Sequence, residues 1–210
     1  MIKILIADDH AIVREGLKQI LAETPDMVVA DEASNGQEVL NKVWEKEYDV
    51  VVLDISMPGI SGLDILKQLK SQRPKLPVLV LSMHPEEQYA VRVLRAGASG
   101  YLTKQSVPDE LIMAIRKVSL GRKYVSSFLA EKLASDLGIE TEKLSHETLS
   151  DREYQVMCMI ASGKTVKEVA DELFLSVKTI STYRSRILEK MKMKSNAELT
   201  HYVIKNKLVD

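Results

Sequence analysis

Short segments rich in β-branched residues recur through the first half of the chain, and their spacing constrains the fold more than any other feature. The segments are residues 2–7, 28–30, 50–53, 78–81 and 100–102. Strands buried on both faces and joined by helices form a parallel, doubly wound sheet, because each crossover must be long and right-handed. The sequence predicts a flavodoxin-like (βα)5 domain, with a strand order of 2-1-3-4-5.

The segments between the strands have apolar residues at helical spacing, and these residues are expected to face the sheet. They are Ile12, Leu17, Ile20 and Leu21; Val39, Leu40 and Val43; Leu63, Leu66 and Leu69; Val91, Val93 and Leu94; and Leu111, Ile112 and Ile115. We expect this first domain to span residues 1–122. A linker over residues 123–147 follows, with a helix over 126–137 and a polar, charged joint after it.

Residues 148–210 are predicted to form a second domain of four helices, because helix start signals recur there and strand patterns do not. Two capping boxes, in which a hydroxyl and a glutamate three residues on bond each other's backbone N–H groups, open the first two helices. The signals are Ser150 with Glu153, Thr165 with Glu168, Ser176 for a helix to about Met191, and Asn196 or a neighbour for the last helix.

Charge is distributed unevenly between the two halves. Residues 1–147 carry 18 basic and 22 acidic side chains, a net charge of −4, whereas residues 148–210 carry 11 and 8, a net charge of +3. A basic C-terminal half is a weak indication of nucleic-acid contact.

The sequence also excludes some classes of protein. The longest apolar runs are too short for a bilayer, and the N-terminus lacks a small-residue cleavage site, so a cytoplasmic protein is expected. Cys158 is the single cysteine, which excludes an intramolecular disulfide and a cysteine zinc cluster. Its apolar neighbours favour a place in the core.

Polar residues occupy the ends of the predicted strands: Asp8 and Asp9, Asp54, Ser82 and Lys104. The carboxyl ends of parallel strands lie along one edge, and neighbouring strands are about 4.8 Å apart, so these groups should meet. Three adjacent carboxylates need a proton or a divalent cation, and an oxygen-only site suits Mg²⁺. An acceptor carboxylate with a metal, an ammonium and a hydroxyl is what an aspartyl-phosphate site requires.

A simpler interpretation applies to any one of these residues, because an aspartate just after a strand is commonly only a helix cap. Suitable residues at four strand ends are harder to explain that way. His10 is adjacent and could ligate a metal, but a solvent-facing loop histidine is the interpretation we favour.

The first half resembles the receiver domain of two-component response regulators. The resemblance is carried by Asp8-Asp9-His10, Asp54-Ile55-Ser56-Met57-Pro58-Gly59 with Gly62, Ser82, Ala96-Gly97-Ala98 and Gly100-Tyr101-Leu102-Thr103-Lys104. It implies that Asp54 accepts a phosphoryl group, that Asp8, Asp9, Asp54 and the Ser56 carbonyl hold the metal, that Lys104 contacts the phosphate, and that Ser82 and Tyr101 form a switch pair. Gln105 stands where many receivers have a proline after a cis bond, so no cis peptide is expected.

The helix that begins near Val177 has two different sides at 100° per residue. Val177, Ile180, Tyr183, Ile187 and Met191 are expected to pack on the preceding helices. Opposite them stand Lys178, Ser181, Thr182 and Ser185, a small polar face that could enter a major groove. Basic residues beside it would neutralise phosphates: Arg184, Arg186, Lys190, Lys192 and Lys194. A solvated basic face is the alternative.

The second half resembles the LuxR-type helix-turn-helix. The matching residues are Leu149-Ser150-Asp151-Arg152-Glu153, Val156-Met157, Ile160-Ala161-Ser162-Gly163, Lys167-Glu168-Val169-Ala170, Leu173 and Ser176-Val177-Lys178-Thr179-Ile180, with Ile187 and Lys190-Met191. The order of the two resemblances is that of the NarL/FixJ class. Val166 and Tyr183 stand where asparagine and histidine are usual, which affects the contacts expected with the DNA backbone there.

Together the two resemblances imply a transcription factor that a sensor histidine kinase phosphorylates on Asp54, with promoter DNA and a second copy of the chain as partners. The DNA contacts would come from Lys178, Thr179, Ser181, Thr182, Arg184, Ser185, Arg186 and Lys190. One rival is an aspartate-nucleophile phosphatase, but such enzymes carry a general-acid Asp where this chain has Ser56, so we expect no enzyme. Another is a receiver that serves dimerisation without phosphorylation.

Overall fold

The computed structural model describes residues 1–57, 59–83, 85–106, 108–126, 129–131, 145–206 and 208–209. The chain divides into two compact units, Met1–Leu133 and Ala134–Asp210. Residues 129–131 are helical, and most of the predicted linker helix and joint lies outside the described residues. The domain boundaries expected at residues 122 and 147 stay predictions.

The first unit contains a five-stranded parallel sheet in the order β2-β1-β3-β4-β5, as predicted. Its strands are β1 (Ile2–Ala7), β2 (Met27–Ala33), β3 (Val50–Asp54), β4 (Val78–Ser82) and β5 (Gly100–Thr103). The connecting helices are α1 (Ala11–Ala22), α2 (Gly36–Glu45), α3 (Gly62–Gln72) and α4 (Glu86–Arg95), and α5 (Pro108–Ser119) follows the last strand. The predicted fold class is confirmed.

Strand β2 is longer than the predicted residues 28–30, and its position at the edge of the sheet explains the difference. Its burial is interrupted by polar residues, and two of them face cations: Asp31 pairs with Lys46, and Glu32 pairs with Arg14. An edge strand needs no continuous apolar run, so the apolar residues at 28–30 predicted only three of its seven residues.

Central strands and the inner sides of the helices form the core of this unit. Leu17 and Leu21 of α1 are buried as predicted. The prediction for Ile12 is wrong, because its side chain is 86% exposed. Ile12 lies in the first turn of α1. Helical spacing predicts which side of a helix is apolar, but it does not show whether another element covers that side at the end of the helix.

The second unit is helical, as predicted. A 3-10 helix, Ser145–Thr148, precedes α6 (Asp151–Ala161), α7 (Val166–Glu172), α8 (Val177–Lys190) and α9 (Asn196–Lys205). Both capping boxes form, and the hydroxyls of Ser176 and Ser195 cap α8 and α9. Cys158 is buried on α6, with its Sγ atom 3.8 Å from the Leu208 carbonyl oxygen.

The core of this unit joins all four helices through Val156, Met157, Ile160, Val169, Ile180, Ile187, Leu199 and Val203. Helix α6 contacts α8 and α9, and α7 contacts α8. Within the described part of the chain, no helix has both the length and the hydropathy that a bilayer span requires.

Candidate functional site

The carboxyl edge of the sheet brings together side chains from the ends of four strands. Asp8 follows β1, Asp54 ends β3, Ser82 ends β4 and Lys104 follows β5. The Lys104 ammonium lies 2.6 Å from Asp8 Oδ2 and 2.7 Å from Asp54 Oδ2. Asp8 and Asp54 are each only 1% exposed, so Lys104 is a cation between two buried carboxylates.

Strand pairing explains why these residues meet. Ala7 of β1 is paired with Leu53 of β3, so Asp8 and Asp54 are the next residues on two adjacent strands. On the other side, the Lys104 backbone N–H donates to the Ser82 carbonyl oxygen at 2.7 Å. The site therefore depends on the sheet order, as the sequence predicted.

Burial and charge act in opposite directions on the ionisation of Asp54. Burial is the largest influence and raises the pKa of Asp54 above its ordinary value, although Lys104 and the Ser56 N–H favour the carboxylate. Burial alone would lower the pKa of Lys104, but hydrogen bonds to Asp54 and Asp8 hold it above its ordinary value. Lys104 is thus charged at neutral pH.

The carboxylates and His10 form a group that fits a divalent cation. Ligand atoms of Asp8, Asp9, His10 and Asp54 all lie within 4.8 Å of one another. Asp9 Oδ1 is buried and accepts no hydrogen bond from the described residues, although His10 Nδ1 is 3.0 Å away. Carboxylate oxygens with an unfilled acceptor suit Mg²⁺.

His10 and Ser56 border this group in different ways. The His10 side chain is 64% exposed, and its Nδ1 atom also lies 3.2 Å from Asp8 Oδ1. The Ser56 backbone N–H donates to Asp54 Oδ1 at 2.8 Å, which restrains the orientation of the Asp54 carboxylate. Coordination of the metal by the Ser56 carbonyl stays a prediction.

The two expected switch residues are both buried. Ser82 is fully buried and Tyr101 nearly so. The peptide bond between Lys104 and Gln105 is trans, as expected from the missing proline. The switching role of Ser82 and Tyr101 stays a prediction.

In the second unit, helix α8 exposes the polar face that the sequence predicted. Lys178, Ser181, Thr182, Ser185 and Arg186 are exposed, and Thr179 is half-buried. The hydroxyls of Thr182 and Ser185 donate to backbone carbonyls one turn back in the same helix. Both hydroxyl oxygens can still accept hydrogen bonds.

The opposite side of α8 packs on the domain through Ile180, Ile187 and Met191. The expectation for Val177 is wrong, because this side chain is 50% exposed. Val177 is the first residue of the helix, and half of its side chain extends past the residues on which the rest of the apolar side packs.

Two basic residues of α8 form bonds inside the domain. Lys190 Nζ lies 2.6 Å from Oε2 of the buried Glu153, the same carboxylate that closes the capping box of α6. Arg184 Nε donates to Asn196 Oδ1, at the start of α9, at 2.7 Å. Sequence reasoning grouped both with the phosphate contacts, since nothing in the local pattern separates them from Arg186.

Comparisons with known families agree with this architecture. The model of the response regulator receiver domain matches residues 4–116, and the model of the bacterial regulatory proteins of the luxR family matches residues 147–203. The chain is 37% identical over 209 residues to the response regulator UvrY of Escherichia coli K12, covering 99% of this chain and 96% of UvrY. It is 39% identical over 215 residues to the oxygen regulatory protein NreC of Staphylococcus carnosus, covering 99% of both chains.

Solved structures give the same result. RcsB from Salmonella enterica serovar Typhimurium, bound to the promoter rprA in the presence of the phosphomimetic BeF₃⁻, has a TM-score of 0.66 at 27% identity. That match covers 97% of this chain and 99% of RcsB. The chain therefore belongs to the two-component response regulators, in the NarL/FixJ class that joins a receiver domain to a LuxR-type helix-turn-helix domain.

Proposed function

We propose that a sensor histidine kinase phosphorylates this regulator on Asp54, and that the modified protein dimerises and binds promoter DNA in the cytoplasm. The observation that carries the proposal is the contact of Lys104 with both Asp8 and Asp54, at 2.6 and 2.7 Å. This arrangement keeps a buried carboxylate next to a fixed cation and beside further oxygen ligands. Such a set can accept and hold a phosphoryl group.

In the reaction, an oxygen of Asp54 attacks the phosphorus of the kinase phosphohistidine. The P–O bond forms as the P–N bond breaks, and the imidazole keeps the electron pair and takes up a proton. The Ser56 N–H already holds Asp54 Oδ1, and Lys104 stands ready to contact the incoming oxygens. Bound Mg²⁺, held by Asp8, Asp9, Asp54 and the Ser56 carbonyl, would neutralise charge on the phosphoryl oxygens.

Phosphorylation would act on the rest of the protein by shifting a population between two states. Ser82 ends β4 and Tyr101 lies on the neighbouring strand β5, and we propose that both rearrange when the phosphoryl group arrives. The state that they favour frees the second domain to dimerise, through α9, and to bind paired half-sites about one helical turn apart or a multiple of it.

The exposed face of α8 is the proposed DNA-binding surface. Lys178, Thr179, Ser181, Thr182 and Ser185 would meet base edges, and Arg186 would contact phosphates. Arg184 and Lys190, which the sequence placed in the same set, would contribute by holding the helix in place. The promoter-bound RcsB structure supports DNA as the ligand of this domain type.

A phosphatase that turns over substrate is the weaker alternative for the acidic site. In such enzymes a second aspartate two residues after the nucleophile acts as the general acid. Ser56 occupies this position and has a hydroxyl that protonates a leaving group poorly. We therefore propose stoichiometric phosphorylation as a signal.

The test is the intact mass of the full chain after incubation with Mg²⁺ and acetyl phosphate, beside an Asp54→Ala variant. We expect one acid-stable, base-labile phosphoryl adduct on the parent and none on the variant. Omitting Mg²⁺ is the matched control and should abolish the adduct. An unmodified parent that still binds genomic DNA fragments would instead favour a receiver that signals without phosphate.

A further inference from the structure

Phe174 adopts a backbone conformation that its residue type disfavours. It follows α7 directly and has a φ of 54°. Its N–H donates to the Asp171 carbonyl oxygen, and the Leu175 N–H donates to that of Ala170 at 2.9 Å. This is the hydrogen-bonded end of a helix at which glycine is the preferred residue, since glycine has no Cβ to strain a positive φ.

The cost of this conformation is not offset by burial. The Phe174 ring is 74% exposed, although phenylalanine gains most of its stabilising effect from removal from water. Lys192 also has a positive φ, at 55°, but exposure of its charged side chain to water costs nothing, unlike exposure of the Phe174 ring. An exposed, strained aromatic residue gains nothing for the fold, and such outliers gather at functional sites.

The position of Phe174 in the domain suggests what it contacts. It lies two residues before Ser176, the N-cap of α8, and three before the half-exposed Val177. Three residues of chain span at most about 10 Å, so the two apolar side chains border the same end of the helix. The first turn of α8 contains Lys178 and no acidic residue, in contrast to α7 and α9, where Glu168 and Glu198 occupy that turn.

We propose that Phe174, together with Val177, contacts thymine methyl groups in the major groove and thereby contributes to sequence selectivity. This inference rests on the proposed function, because it takes duplex DNA as the partner of α8. The N-terminal end of a recognition helix meets base edges, and apolar side chains there can contact the C5 methyl group of thymine. Val177 lies in the first turn of α8, and Phe174 lies in the segment just before its N-cap. The absence of acid from that turn keeps the positive helix end compatible with phosphates.

The experiment uses the full chain, phosphorylated with acetyl phosphate, and duplexes that the parent selects from a random-sequence pool. Parent and Phe174→Asn proteins are titrated with the selected duplex and with the same duplex carrying uracil for thymine. We expect the parent to bind the uracil duplex about fivefold more weakly, the loss of a methyl contact. The variant should keep only the smaller thymine preference that Val177 provides. Its second domain should melt at a higher temperature because asparagine tolerates a positive φ.

Arg186→Gln, at an exposed residue that we propose contacts a phosphate, is the matched control. It should lower the slope of log K against log salt by about one unit and preserve the preference for thymine over uracil, whereas Phe174→Asn should leave the slope unchanged. Phe174→Gly provides a second variant free of backbone strain. Equal thymine preference in the parent and both Phe174 variants would overturn the inference.

Two other outcomes are distinguishable. A parent that selects no duplex would contradict the proposed DNA binding itself, and this inference with it. Phe174 variants that bind DNA as the parent does but fail to regulate transcription by purified RNA polymerase would assign the ring to a protein partner and overturn the DNA contact.

Discussion

The acidic site and the recognition helix distribute their charges in opposite ways. In the receiver, Lys104 contacts two carboxylates that come from distant parts of the chain and are almost fully buried. On α8, the basic side chains all come from one helix, and two of them, Lys190 and Arg184, bond to residues of the same domain. Buried charges have their partners fixed by the topology, whereas the role of an exposed charge depends on which neighbour its flexible side chain can reach.

The largest expected effect concerns the loop that follows Asp54. A Cβ at Gly62 would lie 2.3 Å from Ile55 Cα and 2.7 Å from the Ile55 carbonyl oxygen, so backbone would have to move. We expect Gly62→Ala to lower the free energy of unfolding by roughly 3 kcal/mol and to slow phosphorylation of Asp54, because the loop carries Ser56. Urea unfolding and the rate of adduct formation measure the two effects.

Gly16→Ala is the control for this substitution. Gly16 lies inside α1, and a Cβ there would meet nothing within 4 Å. Alanine should therefore raise the unfolding free energy by about 0.5 to 1 kcal/mol. Equal effects of the two substitutions on stability and on phosphorylation would show that the acidic site tolerates movement of the loop after Asp54.

The sequence was sufficient for the parts of the molecule that follow from periodicity and sheet geometry. Strand order, the helical second domain and the meeting of Asp8, Asp54 and Lys104 were all predicted. The exposure of Ile12 and Val177 was not, because each occupies the first turn of its helix, where spacing does not reveal whether a neighbour is present.

The partners of individual long side chains also escaped prediction. Glu153 was recognised as half of a capping box, but its bond with Lys190 joins residues 37 positions apart on two helices. That contact depends on how α6 packs on α8, which hydrophobic patterning does not specify. The left-handed backbone of Phe174 was missed although Leu173-Phe174-Leu175 interrupts two helical patterns, since no glycine marks the turn.

The next largest effect should distinguish Lys190, the last residue of α8, from Lys192, which lies two residues after it. Lys190→Met should lower the unfolding free energy of the second domain by about 1 to 2 kcal/mol, because it leaves the buried Glu153 carboxylate without its cation. Its salt slope of DNA binding should stay near that of the parent. Lys192→Met, at an exposed residue, should do the reverse, with a slope reduced by about one unit and unchanged stability. A reduced slope for Lys190→Met would return this lysine to the DNA-binding surface.

The smallest effect is a dependence of the unfolding free energy on pH, which the Glu153 carboxylate introduces. Burial acts to raise the pKa of Glu153, but hydrogen bonds from Lys190 and Ser150 hold it below the ordinary value of 4.5. Since the folded pKa is the lower one, the carboxylate stabilises the domain fully above pH 4.5, and this stability is lost as the pH falls through the folded pKa. Unfolding measured from pH 6 to pH 3 should show a shallower decline for Glu153→Gln than for the parent. Parallel curves would mean that the ion pair does not form in solution.

The burial of Cys158 in α6 has a practical consequence for spectroscopy and labelling. As the single cysteine of the chain, it places the only thiol in the DNA-binding domain, shielded from reagents while that domain is folded. The rate at which a thiol-reactive dye attaches therefore reports the opening of this domain alone, against a receiver that contributes no background. Comparing that rate before and after treatment with acetyl phosphate would reveal whether the proposed phosphorylation of Asp54 changes the internal stability of the DNA-binding domain.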